Sequence, residues 1–191
     1  MPRNITYEEG NLIIGKLVNI RDKQVEDAYL DYQWRIDEEL ATLDATTPLR
    51  MSYNSYLRLV EDELKRPVPW SKRFAIETHD GTLIGNCMYY DIDTIRKQTE
   101  LGILIGDKNY WNKGYGTDAV TTICNYIFDS TDFKKIYLHT LIWNIRAQQS
   151  FSKCGFENIL EVNKEGYDFL LMALTREKWE TMNSPDQIVD H

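Results

Sequence analysis

Two glycines one residue apart, Gly114 and Gly116, lie in the stretch Gly106 to Ala119 (GDKNYWNKGYGTDA), after a run that reads as a strand and at the start of one that reads as a helix. Glycines at a helix start let backbone N–H groups approach a ligand closely. Those N–H groups and the helix dipole favour an anion, phosphate above all. Lys108 and Lys113 add positive charge there in an otherwise acidic chain. The same two glycines would also relieve a tight loop-to-helix junction with no ligand at all. Two nucleotide motifs fail. Gly114-Tyr115-Gly116-Thr117-Asp118-Ala119 has the letters of a dinucleotide fingerprint, but eight residues separate Gly114 from Ile105, the last residue of the preceding strand. That fingerprint needs its first glycine almost directly after the strand. A P-loop is excluded because no Gly-Lys-Ser/Thr closes the motif.

The elements that must position this loop follow from periodicity. Residues 11–21 (NLIIGKLVNIR) predict a strand, or a small hairpin bent at Gly15, and Val25, Ala28, Tyr29 and Tyr32 recur at helical spacing. The first helix is expected over Lys23 to Leu43 and a second over Ser52 to Arg66. Phe74 to Thr78 and Leu83 to Asp91 read as a hairpin around Asp80-Gly81, followed by a strand over Thr99 to Ile105, which makes an antiparallel meander. A helix from about Gly116 to Ser130 puts Ala119, Val120, Ile123, Cys124, Ile127 and Phe128 on one stripe. A strand over Lys135 to Ile142, a helix over Ile145 to Cys154, and a last hairpin, Phe156 to Val162 with Tyr167 to Leu174, complete the order. The fold class is mixed α/β, with a meander before a βαβ crossover.

The 191 residues, 42% of them hydrophobic and 27% charged, suit one domain over 1–191, with a core at about 11–180 and a polar, frayed tail at 181–191. A net charge of −8 argues against a phosphate-tracking surface and so against nucleic acid. Cys87, Cys124 and Cys154 lie far apart and are odd in number, which predicts reduced, mostly buried thiols, no zinc site and a cytoplasmic setting. No apolar run approaches the length of a membrane span, and the first ten residues lack the apolar core of a signal peptide.

Four pieces in order, Glu100-Leu-Gly-Ile-Leu-Ile-Gly, Tyr110-Trp-Asn-Lys-Gly-Tyr-Gly-Thr-Asp-Ala, Asn144-Ile-Arg-Ala and Ser152-Lys-Cys-Gly-Phe156, resemble the GNAT N-acetyltransferase superfamily, in particular its RimJ/RimL-like branch of ribosomal-protein N-terminal acetyltransferases. The resemblance runs from about Phe74 to Leu174. It implies a mostly antiparallel sheet of about seven strands with about four flanking helices and splayed central strands. It also implies acetyl-CoA as cosubstrate, with no metal. By position, the pyrophosphate lies on Trp111, Asn112, Lys113, Gly114, Tyr115, Gly116 and Thr117. The pantetheine arm pairs with Ile103, Leu104 and Ile105 and touches Asn144, while Arg146 and Lys153 approach the phosphates. Trp111 stands where most of the family has Gln or Arg, which resembles the RimJ/RimL branch.

The reaction so implied needs a neutral amine, and amines of pKa about 8 to 10.4 must first lose a proton. Glu100, fourteen residues before Gly114, has an offset similar to that of the catalytic base in the histone acetyltransferase branch; its other reading is a solvent-facing strand carboxylate. A backbone N–H of the same strand is the expected oxyanion donor. The family's acid, a tyrosine seven residues after the asparagine, is Phe151 here, which leaves Ser150, Ser152, a water, or no acid. His139, Tyr89 and Tyr90 either face the cleft or pack inward.

The acceptor implied is a primary amine, a peptide or protein N-terminus first and a polyamine, amino sugar or aminoglycoside after it. Glu26, Asp27, Asp31, Asp37, Glu38, Glu39 and Asp44 either attract that cation or form a solvated helix face. Trp34, Trp70 and Tyr53 either line a pocket or serve the core. Many relatives are homodimers, so a homodimer is the expected assembly. The rival classes are a non-catalytic acyl-CoA-binding module and a nucleotide-binding module.

Overall fold

Ile13–Ile14 (β1) and Val18–Asp22 (β2) form the first hairpin in the computed structural model, which describes residues 12–184. Its bend needs Gly15, because a Cβ there would fall 2.5 Å from Thr122 Oγ1 and 2.6 Å from Asp118 Oδ2. The Asp118 carboxylate instead accepts the N–H groups of Lys16, Leu17 and Val18 at 3.1, 2.7 and 3.1 Å. A half-buried carboxylate thus satisfies three turn amides.

The expected meander is present as Ser71–Thr78 (β3), Leu83–Asp93 (β4) and Gln98–Ile105 (β5), all antiparallel neighbours. Gly81, at φ +84°, turns the β3–β4 connection. The longest helix, Tyr115–Ser130 (α4), crosses over to Lys135–Leu141 (β6), which lies parallel to β5. Ile145–Lys153 (α5), Glu157–Lys164 (β7) and Tyr167–Thr175 (β8) follow. Among the described residues, eight strands form one sheet in the order β1-β2-β3-β4-β5-β6-β8-β7. The six apolar residues of the α4 stripe are all buried, among them Ile123, Ile127 and Phe128, and they pack on Phe74, Ile84, Ile136 and Leu138 of the sheet.

Two departures from the sequence reading have local causes. The first helix is interrupted: after a single 3-10 turn, Val25–Asp27, come Ala28–Ile36 (α1) and Glu38–Leu43 (α2), broken at Asp37. Asp37 takes extended backbone and turns its carboxylate to the Leu40 N–H at 2.9 Å, ending one helix and capping the next. The helix Tyr53–Lys65 (α3) falls as expected, with Ser52 as its cap. The polar C-terminal stretch is not all tail: Arg176–Met182 (α6) is helical, capped by Thr175, and its Met182 side chain occupies the space where a Cβ on Gly155 would sit. The remainder of the expected tail, 185–191, lies outside the described residues.

All three cysteines are buried free thiols, and burial pushes the Cys87 thiol up to about 12. Among the described residues no cluster of His, Cys, Asp or Glu could hold a metal ion, and no helix is long and apolar enough to cross a membrane.

Candidate active site

The sheet opens where β5 leaves β6. Their pairing ends after Gln98↔Lys135, Thr99↔Ile136 and Glu100↔Tyr137, whereas β5 stays paired to β4 as far as Ile105. A register shift in β4 between Tyr90 and Asp93, with Asp91 at φ +49°, adds local twist beside the divergence. The Gly106 N–H bonds to the Ile84 carbonyl at 2.9 Å. By antiparallel alternation, Leu104, Gly102 and Glu100 then also face β4 with their backbone groups. Ile103 and Ile105 therefore turn their N–H and C=O groups into the opening.

Two adjoining cavities fill that opening. One, of about 160 Å³, is lined by Ile103, Leu104, Ile105, Trp111, Gly116, Val120, Asn144, Arg146, Ser150 and Phe151. The other, of about 270 Å³, is lined by Tyr90, Glu100, Gly102, His139, Thr140, Lys164 and Phe169. Leu43, Asp44, Ile103, Asn144, Ala147 and Phe151 line both, so the two are one cleft.

The first cavity ends at the start of α4. Helices α2, α3, α5 and α6 each have a side-chain cap, from Asp37, Ser52, Asn144 and Thr175. α4 has none: its N-cap is Gly114 at φ +90°, so the N–H groups of its first turn and the positive end of the dipole are offered outward. Gly116 needs to be glycine neither for its φ nor for internal fit, since a Cβ there would meet Ile105 Cγ1 at an ordinary 3.6 Å. What a side chain would narrow is the cavity that Gly116 lines, and an anion with an extended arm fits that open cradle. Trp111 donates Nε1–H to the Ile105 carbonyl at 2.7 Å, and the Arg146 guanidinium stacks 3.7 Å from its ring centroid. Asn144 Oδ1 accepts from the Ala147 N–H at 3.2 Å, leaving Nδ2 to donate elsewhere. Asn112, Lys113, Gly114, Tyr115 and Thr117 sit beside this lining without being part of it, and Lys153 is exposed away from both cavities. Lys108 is tied to Asp37 and Glu39 at 2.9 and 2.7 Å.

The second cavity holds Glu100, which is 8% exposed and so is not a solvent-facing carboxylate. Its Oε1 lies 2.7 Å from His139 Nδ1, a pairing the sequence could not rank above core placement. Of the alternatives to a tyrosine acid, Ser150 reaches the cleft, with its hydroxyl 2.8 Å from Thr117 Oγ1, and Ser152 does not line it. Phe151 is buried against Phe156 and lines both cavities.

Two acids of the first helices are spent inside the protein, and the others lie at or near the surface. Asp27 is held by Arg21 at 2.8 Å, and Asp31 by Lys23 at 2.5 Å and Asn86 at 3.1 Å. Burial alone would raise the Asp27 carboxyl, but Arg21, the Gln24 N–H and Lys23 outweigh it and hold it below the usual range. Of that set, Asp44 alone lines the cleft. None of the three aromatics lines it either: Trp34 lies against Gly106, Trp70 is exposed, and Tyr53 packs on Tyr29 and Tyr32.

With the splayed strands and uncapped helix in view, comparison with known proteins is decisive: a family described as acetyltransferase (GNAT) domain matches residues 17–157. The chain belongs to the GNAT acetyltransferase family. Among its GNAT relatives, the spermidine N(1)-acetyltransferase of Vibrio cholerae serotype O1 is 29% identical over 85 residues, 44% of this chain and 49% of that protein. The chain is thus aligned to about half the length of that relative. Its crystal structure with CoA and spermine superposes with a TM-score of 0.75 at 20% identity, over 85% of this chain and 98% of the other. The putative ribosomal N-acetyltransferase YdaF of Bacillus subtilis is 23% identical over 108 residues, 53% of this chain and 58% of YdaF. The aminoglycoside acetyltransferase AAC(6')-Ib with coenzyme A has a TM-score of 0.73 at 19% identity, over 87% and 99% of the two chains. At such identities the structural likeness shows a shared GNAT fold. The sequence relatives bear different acceptors in their names, so the family is established above the level of any one branch.

Proposed function

We propose that the protein is an acetyl-CoA-dependent N-acetyltransferase that acetylates a primary amine by direct attack in a ternary complex. The observation that carries this reading is the single cleft with the bare N-terminus of α4 at one end and a buried carboxylate, Glu100, at the other. Acetyl-CoA supplies the thioester. The N–H groups of Tyr115, Gly116 and Thr117 receive its pyrophosphate, the backbone of Ile103 and Ile105 and the Asn144 amide take the pantetheine arm, and Arg146, held on Trp111, meets phosphate. Asn112, Lys113 and Gly114 shape the loop, while Lys153 contributes charge from the surface. An Ile103 N–H turned into the opening is the donor for the thioester oxygen as charge develops on it. Glu100 belongs to the machinery that removes the proton from the amine.

We place the α-amine of a peptide or protein N-terminus first among acceptors, in keeping with the RimJ/RimL-like motifs. The ion pairing of Asp27, Asp31, Asp37 and Glu39 supports an acceptor with one reacting cation over a polycation, because it leaves Glu100 and Asp44 as the cleft's carboxylates. A polyamine is the second reading, favoured by the spermidine acetyltransferase among the relatives. The test is acetyl-CoA-dependent release of CoA, followed by mass, with peptides of varied N-termini, spermidine, a glucosamine-type amine and an aminoglycoside. Turnover with peptides above the rest is the expected result. Saturable CoA binding without turnover of any amine would favour an acyl-CoA-binding module, and failure to bind CoA would overturn the proposal.

A further inference from the structure

We propose that His139 is the group that takes the proton from the acceptor amine, and that Glu100 is a positioning residue acting through it. This rests on the N-acetyltransferase reading above and changes which side chain touches the substrate. His139 and Glu100 come from adjacent strands, 39 residues apart, at the point where β5 and β6 separate. Their side chains are 12% and 11% exposed and both line the larger cavity.

The 2.7 Å contact between His139 Nδ1 and Glu100 Oε1 fixes the tautomer. An ionised carboxylate can only accept, so Nδ1 carries the proton and donates it, and the lone pair of the neutral ring is at Nε2. Lys164 Nζ, 3.5 Å from the same Nδ1, is therefore a neighbouring charge and not its hydrogen-bond donor. Among the described residues Nε2 has no hydrogen-bond partner. The ring plane is set by edge contacts with Tyr137 and Phe169, at centroid distances of 6.0 and 6.1 Å and angles of 88° and 78°. A carboxylate that fixes the tautomer of an imidazole lining a cavity is the arrangement of a general base with its orienting partner.

Glu100 itself is poorly free to be the base. One oxygen is engaged by His139, and Tyr90 lies opposite it in the β4–β5 ladder. Burial first, then the negative charge of Glu100 beside it, push the Tyr90 hydroxyl well up, so that it stays protonated next to the carboxylate. The charged and titratable groups facing the imidazole are Glu100 on β5, Lys164 on β7, Tyr137 on β6, and across the cavity Asp44 and Tyr90.

The protons balance as follows. The bound ammonium gives one proton to Nε2, which passes it on to water. The freed nitrogen lone pair forms the C–N bond at the thioester carbonyl carbon. When the adduct collapses the C–S bond breaks with its electron pair on sulfur, and the second proton from nitrogen ends on that sulfur. The products are the amide, the free thiol of CoA and one proton in solvent.

The test uses the full-length protein and the best acceptor from the panel above. His139→Gln should lower kcat by about 10² or more while acetyl-CoA Kd stays within about twofold. It should also abolish the acidic limb of the kcat–pH profile, which in the wild type reports protonation of Nε2. Imidazole added to His139→Ala should restore part of the rate, a recovery that a merely structural histidine would not give. Glu100→Gln should lower kcat and move the acidic limb to lower pH, because the imidazolium loses its partner. Turnover by His139→Gln within threefold of wild type, with the limb unchanged, would overturn this inference and leave the acetyltransferase reading standing. A wild-type protein that binds CoA yet acetylates no amine would overturn that reading instead. The dyad is then judged by ¹⁵N NMR of His139: a proton on Nδ1 and none on Nε2 at neutral pH is expected, and the opposite tautomer sinks it.

Discussion

The two ends of the cleft are built from different materials. The end at α4 is made of backbone: a left-handed Gly114, an open Gly116, a helix without a side-chain cap, and strand amides turned into a gap. The other end is made of side chains that meet across strands, Glu100 with His139, and Tyr90 and Lys164 around them. A backbone site tolerates almost any side chain that does not intrude, so it suits the part of the reaction that never varies, the binding of the acetyl donor. A side-chain site changes with every substitution, so it suits the part that distinguishes one amine from another. On the proposed function, the pair teaches that a shared fold fixes the donor and leaves the acceptor to a few contacts.

That division can be broken or sharpened by experiment. The largest effect is expected from His139→Gln, which should reduce kcat by about 10² or more, with a smaller loss for Glu100→Gln, and both should leave acetyl-CoA affinity within about twofold by calorimetry. A comparable loss of CoA affinity would merge the two ends into one. Next, Gly116→Val should weaken acetyl-CoA binding at least about tenfold, or about 1.4 kcal/mol, with the urea midpoint held or slightly raised. A lowered midpoint with unchanged affinity would make this glycine a folding residue. Gly114→Ala forces a side chain into φ +90° with its Cβ 3.4 Å from Leu17 Cδ1, and should cost about 1–2 kcal/mol of stability in urea titration as well as affinity.

The smallest effect concerns acid. The Leu40 N–H first, and then Lys108, hold the Asp37 carboxyl below its ordinary range, and Asp27 is lowered as described. Groups depressed in the folded state contribute stability above their unfolded pKa of about 3.9 and lose it as pH falls through the folded value. Hydrogen exchange should therefore quicken in α1 and α2 below about pH 4 before it does in α4, whose start depends on glycine and not on a carboxylate cap. Equal acceleration in both places would show that the acids of α1 and α2 do not anchor them.

The same contrast governs what could be read from the sequence. Gly114 and Gly116 marked a loop-to-helix junction that could either hold an anion or simply be tight, and the α4 stripe located the helix within one residue. Alternation over 99–105 placed Glu100 on the strand that borders the gap. His139 was visible only as one strand residue among several, since its partner is 39 residues away and no local pattern records a contact across splayed strands. Leu40 and Leu43 were hidden by continuous helical periodicity through Asp37, whose capping role depends on a backbone break that hydrophobic spacing does not encode. The acids of that region could be read either as a cationic attractant or as a solvated helix face, because Arg21, Lys23 and Lys108, which pair with four of them, are distant or out of helical register. α6 was missed because a polar seven-residue helix owes its existence to the Thr175 cap and to the Trp179 and Met182 contacts.

The gap between β5 and β6 also leaves two strand edges exposed in the middle of a sheet, and an unpaired strand edge is a template on which chains associate. α2, through Leu40 and Leu43, and α5, through Ala147, Ser150 and Phe151, stand along that opening. The helices that frame the cleft thus double as guards against edge-to-edge aggregation. Releasing α2 by removing its Lys108 tether should make the ligand-free protein precipitate on storage before it costs any catalysis, and a molecule lying in the gap should keep it in solution.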